Sequence, residues 1–399
     1  MSDLLGGGDI PAVQNASQGG AGSLALDDGA QQTFGVVRNA NRFWNVTSDG
    51  AAITDAVKAS WVSTVITQEI NVPTLCQMIF GLTERWAKTD YLKFKPGAKL
   101  EILGDKVTKA SLVPMYVSGM TLDASDGRLM LTVTAFDRLH FLRFGTDTRA
   151  FENKTDGDIF DELLQSSRAE LTLAATVQAE LPADVFPYVL QDNETRYDFL
   201  VRRCRQADYE CLVITEGGGE KLAIRKSQQG GTVALVDAKP LTLVYKKDVE
   251  AMSLDMRVPT LGECVTAYGY DVSGKVLGGP ATTANADVDS DLDRQMGTTT
   301  GFEAALPFPL SNMMVRRPDL MDLSSLGLVA GAEREHHQHA FIEGSVTLRQ
   351  ANLAAKAGVN VMIQGTGTDF DGRYYIVKSM HCADKNGDKT ELVVKRSAM

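Results

Sequence analysis

The chain reads as a β-rich α+β protein, with a β region at each end and an α/β insert between them. Three observations predict that class. Segments of alternating side-chain character recur before Phe144 and again from Leu241 onward. Between them, two amphipathic stretches open on capping residues, Thr155–Ser167 and Thr195–Ala207. The second stretch runs straight into a hairpin pattern, Tyr209–Thr215 and Leu222–Ile224 around Gly217–Gly219.

In chain order, residues 1–30 are rich in Gly, Ala, Ser and Asp and carry no apolar period, so they are expected to be mobile in the isolated chain. Gly97–Leu103, Met115–Leu122 and Leu129–Ala135 alternate as strands, with a turn at Ser125-Asp126-Gly127. Arg128–Phe136 is long, apolar and rich in Thr and Val, which suits a central strand. Thr155 precedes an acidic first turn, favoured at the positive end of a helix dipole, and Ile159, Phe160, Leu163 and Leu164 form the buried stripe. Thr195 and Asp198 approximate a capping box. Tyr197, Leu200, Val201, Cys204 and Ala207 follow at helical spacing, leaving Arg202, Arg203 and Arg205 mostly off the stripe. Phe199 is expected to be buried, and at least one of the three arginines to face a carboxylate or a subunit interface. Strands return at Leu241–Tyr245, Val249–Met256, Cys264–Tyr270, Val359–Gln364, Arg373–Met380 and Thr390–Lys395, with Asn386-Gly387 a hairpin turn. Residues 278–300, polar and rich in Gly, Thr and Asp, are expected to form a flexible loop.

A length of 399 residues allows two or three domains. The net charge of −11 and pI near 5.1 argue against nucleic acid or an anionic membrane surface as a partner. No apolar run reaches the roughly 18–20 residues that span a bilayer. The N-terminus lacks the basic and apolar regions of a signal peptide, so synthesis and folding in a cytoplasm are expected. Cys76, Cys204, Cys211, Cys264 and Cys382 are odd in number and form no CxxC pair, which favours reduced thiols.

The wording of Leu190–Ser227 resembles a recurrent segment of the tail hub proteins of contractile phages and related injection machines. The closing segments AGVNVMIQG (357–365), DGRYYIV (371–377), Ser379-Met380-His381 and TELVVKR (390–396) resemble the end of late control D and VgrG-type hubs. Leu131–Asp137 with Arg138 and His140, followed by the Thr155–Leu164 helix, is similar to the same family at the matching place.

That resemblance implies two tube-protein-like β-barrel domains, 31–150 and 236–397, around an α/β insert at 151–235. It implies a homotrimeric ring offering six barrel units, which joins a sixfold inner tube to a threefold spike. Partners would be two further copies of the chain, the spike protein, the inner tube protein and other baseplate proteins, with no nucleic acid and no membrane insertion. No residue-level identity links the two halves, so the duplication is implied by the resemblance alone. The chain stops at Met399 without a small barrel or a needle, so a separate spike protein is expected. The product would be a structural component of a tail or injection particle of the phage, R-type pyocin or related kind. A tail-associated cell-wall hydrolase and a soluble carbohydrate-binding β protein are the alternative readings.

No catalytic, cofactor-binding or metal residue is singled out, and an enzyme is not expected. Glu333, Glu335, His336, His337 and His339 offer i,i+3 and i,i+4 pairs but lack the HExxH order and a distant ligand set. Asp287, Asp289 and Asp291 have the carboxylate spacing of a calcium loop, yet Leu292 stands at the turn glycine and Thr298 at the terminal glutamate. Ser118 and Ser345 lie in no nucleophile elbow, and Gly365-Thr366-Gly367 lacks the third glycine of a dinucleotide fingerprint. His140 and His381 lie in strand-like text and read as structural.

Overall fold

The computed structural model describes residues 45–83, 86–103, 112–125, 127–174, 181, 183–226, 241–258, 264–271, 276–277, 281–284, 303–304, 307, 312–317, 320, 323–338, 341–385 and 387–399. The chain divides into two compact units, Met1–Arg38 and Asn39–Met399. The first, with the expected mobile segment 1–30, lies outside the described residues, as do Asp126, Asn386 and most of 278–300.

The N-terminal strands are β1 (Asn45–Ser48), β2 (Ala51–Ala52), β3 (Trp61–Glu69), β4 (Val72–Gly81), β5 (Lys99–Leu103), β6 (Met115–Ser125) and β7 (Arg128–Phe136). Helices α1 (Asp55–Ser60) and α2 (Lys88–Leu92) lie among them. The insert holds β8 (Asp147–Lys154), α3 (Asp156–Gln165), β9 (Thr172–Leu173), β10 (Phe186–Glu194), α4 (Arg196–Gln206), β11 (Tyr209–Glu216) and β12 (Gly219–Lys226). Beyond it come β13 (Leu241–Val244), β14 (Val249–Met256), β15 (Cys264–Tyr268), β16 (Tyr270–Asp271), β17 (Val276–Leu277), β18 (Ala281–Ala284) and β19 (Met313–Arg316). Helix α5 (Leu323–Gln338) precedes β20 (Ile342–Leu348), β21 (Asn360–Gln364), β22 (Gly372–Asp384) and β23 (Gly387–Arg396).

Thirteen strands form one large sheet, in the order β14-β20-β23-β22-β3-β4-β7-β6-β5-β1-β2, with β21 on β22 and β13 on β21. It is antiparallel except where β13 meets β21. Strands from the two ends of the chain thus meet at its middle, where Lys378–Asp384 of β22 pair with Glu69–Ser63 of β3.

That sheet contains the same strand pattern twice. In the N-terminal half, β3 pairs β4, β4 pairs β7, β7 pairs β6, and β5 borders the start of β6. In the C-terminal half β14, β20, β23, β22 and β21 repeat those relations in the same chain order. The bulges repeat as well. Val62 is the extra residue between Trp61 and Ser63, as Glu250 is between Val249 and Ala251. Ser118 is extra between Val117 and Gly119, as Val377 is between Ile376 and Lys378. A bulge fixes local twist and register, so matched bulges mark matched strands.

Separate apolar clusters fill the three regions. One holds Val57, Met78, Phe80, Leu100, Met115 and Val133, another Val249, Ile342, Val361, Ile363, Tyr374 and Val394. The insert has its own, with Ile159, Phe160, Leu163, Leu164, Phe199, Leu200 and Ile224.

Several expectations hold closely, namely the bounds of Arg128–Phe136 and Val249–Met256 and the Thr155 and Thr195 caps on Asp158 N and Asp198 N. Others are corrected. The strand expected at Cys264–Tyr270 breaks at Gly269, where a Cβ would stand 2.3 Å from the Leu320 carbonyl oxygen. Ala281–Ala284, expected within a loop, is a strand antiparallel to β15, with the β-branched Thr282 and Thr283 opposite Thr266 and Val265. His140 sits in a 3-10 helix, Arg138–Arg143, because Asp137 caps its first turn through Leu139 N. Arg203, expected off the packed stripe, is buried.

Candidate functional site

Among the described residues, no group of three His, Cys, Asp or Glu side chains could hold a metal. His336 and His337 lie on α5, while His339 and Asp287–Asp293 fall outside the described residues. Ser118 is a bulge residue and Ser345 lies inside β20. Gly365 and Gly367 form a turn whose backbone N–H groups, with that of Thr366, donate to Asp371. Desolvation would raise the Asp371 carboxyl, but these bonds and that of the Thr366 hydroxyl outweigh it and hold the group below its ordinary range. That loop clamps itself and presents no phosphate cradle.

The buried polar groups hold elements together. Asp137 accepts from Thr74 N at 2.8 Å and Leu139 N at 3.0 Å, and burial pushes its carboxyl up to about 6. His381 Nδ1 lies 2.9 Å from Thr390 Oγ1 across the β22–β23 pair, and burial pushes the imidazole down to about 3. Where the insert meets the large sheet, Arg225 Nη2 donates to the Gly358 carbonyl at 2.6 Å and to Tyr375 Oη at 3.1 Å, while Tyr375 donates to Glu210. Gly358 has a positive φ of 83° and a Cβ there would stand 2.6 Å from Arg225 Nη2, so only glycine fits. Asn71, at the β3–β4 turn, accepts from Cys211 N at 2.7 Å through Oδ1 and from the Tyr197 hydroxyl at 2.8 Å through its carbonyl. The insert is therefore fixed to both halves of the sheet.

With the insert fixed, the large sheet is open among the described residues at the short strands β2 and β13, which pair on one side only, and at two longer edges, β14 and β6. At one end β14 pairs only with β20. At the other, β6 pairs with β5 only at Met115 and Tyr116, and from Val117 to Ser125 its outer side carries no strand. Both edges are apolar on alternate residues. Met120 is 38% exposed and Leu122 58%, and Leu129 on β7 is exposed as well. On β14, Met252, Leu254 and Met256 are half-buried, packed against the C-terminal cluster, while Ser253 and Asp255 face out. A long edge strand with apolar side chains and unpaired N–H and C=O groups is a template for pairing with another chain. The alternation of MYVSGMTL was legible in the sequence. Which strands end as edges was not, because it depends on partners far along the chain.

The fold is shared with tail proteins. A 43 kDa tail protein of prophage MuSo2 from Shewanella oneidensis aligns with a TM-score of 0.60 at 13% identity, over 88% of this chain and 97% of the other. A tail protein from Neisseria meningitidis MC58 aligns at 0.58 and 14% identity, over 88% and 95%. The E. coli c3393 protein, a type VI secretion component with structural similarity to the T4 tail proteins gp27 and gp5, aligns at 0.53 and 12%, over 84% and 73%. No curated protein matches the sequence. Residues 39–384 match the family described as the Alg8 N-terminal domain.

Proposed function

The chain belongs to the Alg8 N-terminal domain family, and from that premise we propose that it is the baseplate hub of a contractile tail or injection machine. In this reading residues 31–150 and 236–397 are tube-like barrel units and 151–235 the insert between them. Three copies close a ring of six units, which joins a sixfold inner tube to a threefold spike within the baseplate. A threefold ring meets a sixfold one when each protomer offers two similar surfaces. The observation that carries the reading is the strand pattern repeated within one sheet, with two bulges of each half at matching places.

The repeat also sets how copies would join. The internal junction pairs β22 of one half with β3 of the other. By the matched bulges, β6 stands where β22 does and β14 where β3 does. The open β6 edge of one copy then takes the open β14 edge of the next, as β22 takes β3. Internally Ser379, His381 and Ala383 oppose Gln68, Ile66 and Thr64. Transferred, Met120, Leu122 and Ala124 oppose Met256, Leu254 and Met252 of the next copy. Apolar residues meet apolar residues, and Asp123 opposes Ser253 rather than Asp255.

The test is the variant Leu122→Cys with Leu254→Cys. Directly opposed Cβ atoms in an antiparallel pair lie about 4.5–5.5 Å apart, near disulfide reach. Oxidation should give a covalent trimer on non-reducing electrophoresis, and each single variant should not. Light scattering that finds only monomer, alone and with the cognate spike, overturns the hub reading.

A further inference from the structure

The repeat extends into the segments that lead into β5 and β21, where the match rests on backbone bonds rather than residue identity. Gly97 and Gly358 both take a positive φ, 89° and 83°. Gly97 N donates to the Val117 carbonyl and Gly358 N to the Ile376 carbonyl, each at 2.8 Å. Val117 N donates to the Ala98 carbonyl and Ile376 N to the Val359 carbonyl, each at 3.0 Å. Beyond the glycines, Lys99 faces Tyr116 as Asn360 faces Tyr375. Counting back from them, Phe94 stands where Ala355 does, and Leu92 where Leu353 does. One more pair of bonds agrees. Phe94 N donates to the Tyr91 carbonyl at 3.0 Å, and Ala355 N to the Asn352 carbonyl at 3.1 Å.

The counterparts agree at one position and part at the other. Phe94 and Ala355 are both fully buried, each in the cluster of its own half. Leu353 is 3% exposed, but it lies in the N-terminal cluster with Ile66 and Phe80, as does Ala383 of β22. It therefore crosses the internal junction. Leu92 is 61% exposed, and the half that would receive it lies across the open β6 edge. Nor does Leu92 ride on a loose segment. The Trp86 ring packs on Phe80, Tyr91 and Phe94, with centroids 5.5, 5.0 and 6.1 Å away. Asp90 accepts from Ala87 N and from the Thr54 hydroxyl, both at 2.9 Å. A side chain already held in place loses little freedom when a partner covers it.

The receiving surface follows from the same register. Ile66 pairs with Cys76 on β4 as Leu254 pairs with Gly344 on β20, so Leu254 is the counterpart of Ile66. Ile66 is 0% exposed, whereas Leu254 is only half-buried.

We propose that Leu92 is an anchor between copies of this chain, entering the C-terminal cluster of the next copy at Leu254 as Leu353 enters the N-terminal cluster at home. The inference rests on the ring reading and adds to it a contact that is not a strand pairing.

The test replaces Leu92 with Gln in the full chain. The side chain is exposed, so the near-ultraviolet circular dichroism of the variant should match that of the unaltered chain. Sedimentation over a dilution series, alone or with the cognate spike, should show the trimer dissociating at about tenfold higher concentration, roughly 1.4 kcal/mol. Leu92→Met should assemble as the unaltered chain does. With p-benzoylphenylalanine in place of Leu92, photo-crosslinking of mixed labelled and unlabelled copies should join that position to β14 or β20 of another copy. Unchanged assembly of Leu92→Gln, or cross-links only elsewhere, would overturn the anchor and leave the hub reading standing. An unaltered chain that stays monomeric with and without the spike overturns both.

Discussion

Arg203 and Asp156 meet inside the insert as an ion pair 2.6 Å long, 47 residues apart in the chain, with side chains only 1% and 2% exposed. Asp156 is the first residue of α3, and Arg203 lies in the last turn of α4, so the pair joins both helices of the insert. Burial raises the Asp156 carboxyl even against the pull of the guanidinium.

Removing one partner is therefore costly, because it strands the other charge. Asp156→Asn should destabilise the protein by about 3–5 kcal/mol, measured by chemical denaturation. The double variant Asp156→Leu with Arg203→Met should lose less than the sum of the two single changes. Additive losses would show that the pair does not act as a unit.

Phe199 is fully buried and stacks on Phe151 with ring centroids 5.4 Å apart. Phe199→Ala should cost about 3–5 kcal/mol, the transfer term plus the cavity. A loss below about 1 kcal/mol, read as a shift in denaturation midpoint, would mean that the neighbouring side chains collapse into the space.

The insert's hold on the sheet passes through Arg225, which donates to Gly358 and Tyr375. Arg225→Met keeps length and removes the donors. The expected loss is about 3–5 kcal/mol, because the buried Glu210 carboxylate, 3.8 Å from Arg225 Nε, is left without its cation. Amide exchange should rise at Gly358 and along β11 while β4 and β7 keep their protection. Uniform change across the chain would contradict a local clamp.

Two buried groups set opposite pH trends. His381, held down to about 3, binds its proton less well folded than unfolded, so its contribution is lost as pH falls below its ordinary value of 6.5. Asp137, held up to about 6 from 3.8, favours folding most below 3.8 and loses that contribution as pH rises towards 6. The two slopes, each at most about 1.4 kcal/mol per pH unit, oppose one another near pH 5. His381→Gln should leave the Asp137 trend alone, so the variant gains stability relative to the unaltered chain on going from pH 6.5 to 4. Parallel stability curves over that range would refute the assignment.

The sequence by itself determined what is local. Thr155 and Thr195 announce their helices because a cap needs only its own side chain and an N–H three residues on. The Arg128–Phe136 strand follows from alternation and β-branched content, and Val249–Met256 from alternation. The polar strand β8, DTRAFENK, was not legible, because it pairs with β10 across the intervening helix α3. Helix α5 carries Gly327 and Gly331, which mask its start, and it packs on β15 and β18. The duplicated strand pattern has no residue identity to betray it, since register and bulges are relations between strands. At least one of Arg202, Arg203 and Arg205 was expected to face a carboxylate, and Arg203 does, but type and spacing did not say which of the three would be buried. Only the tertiary structure set Asp156 against it and decided which of many alternating strands would end as edges. Burial and pairing belong to the assembled sheet, and no window of sequence contains them.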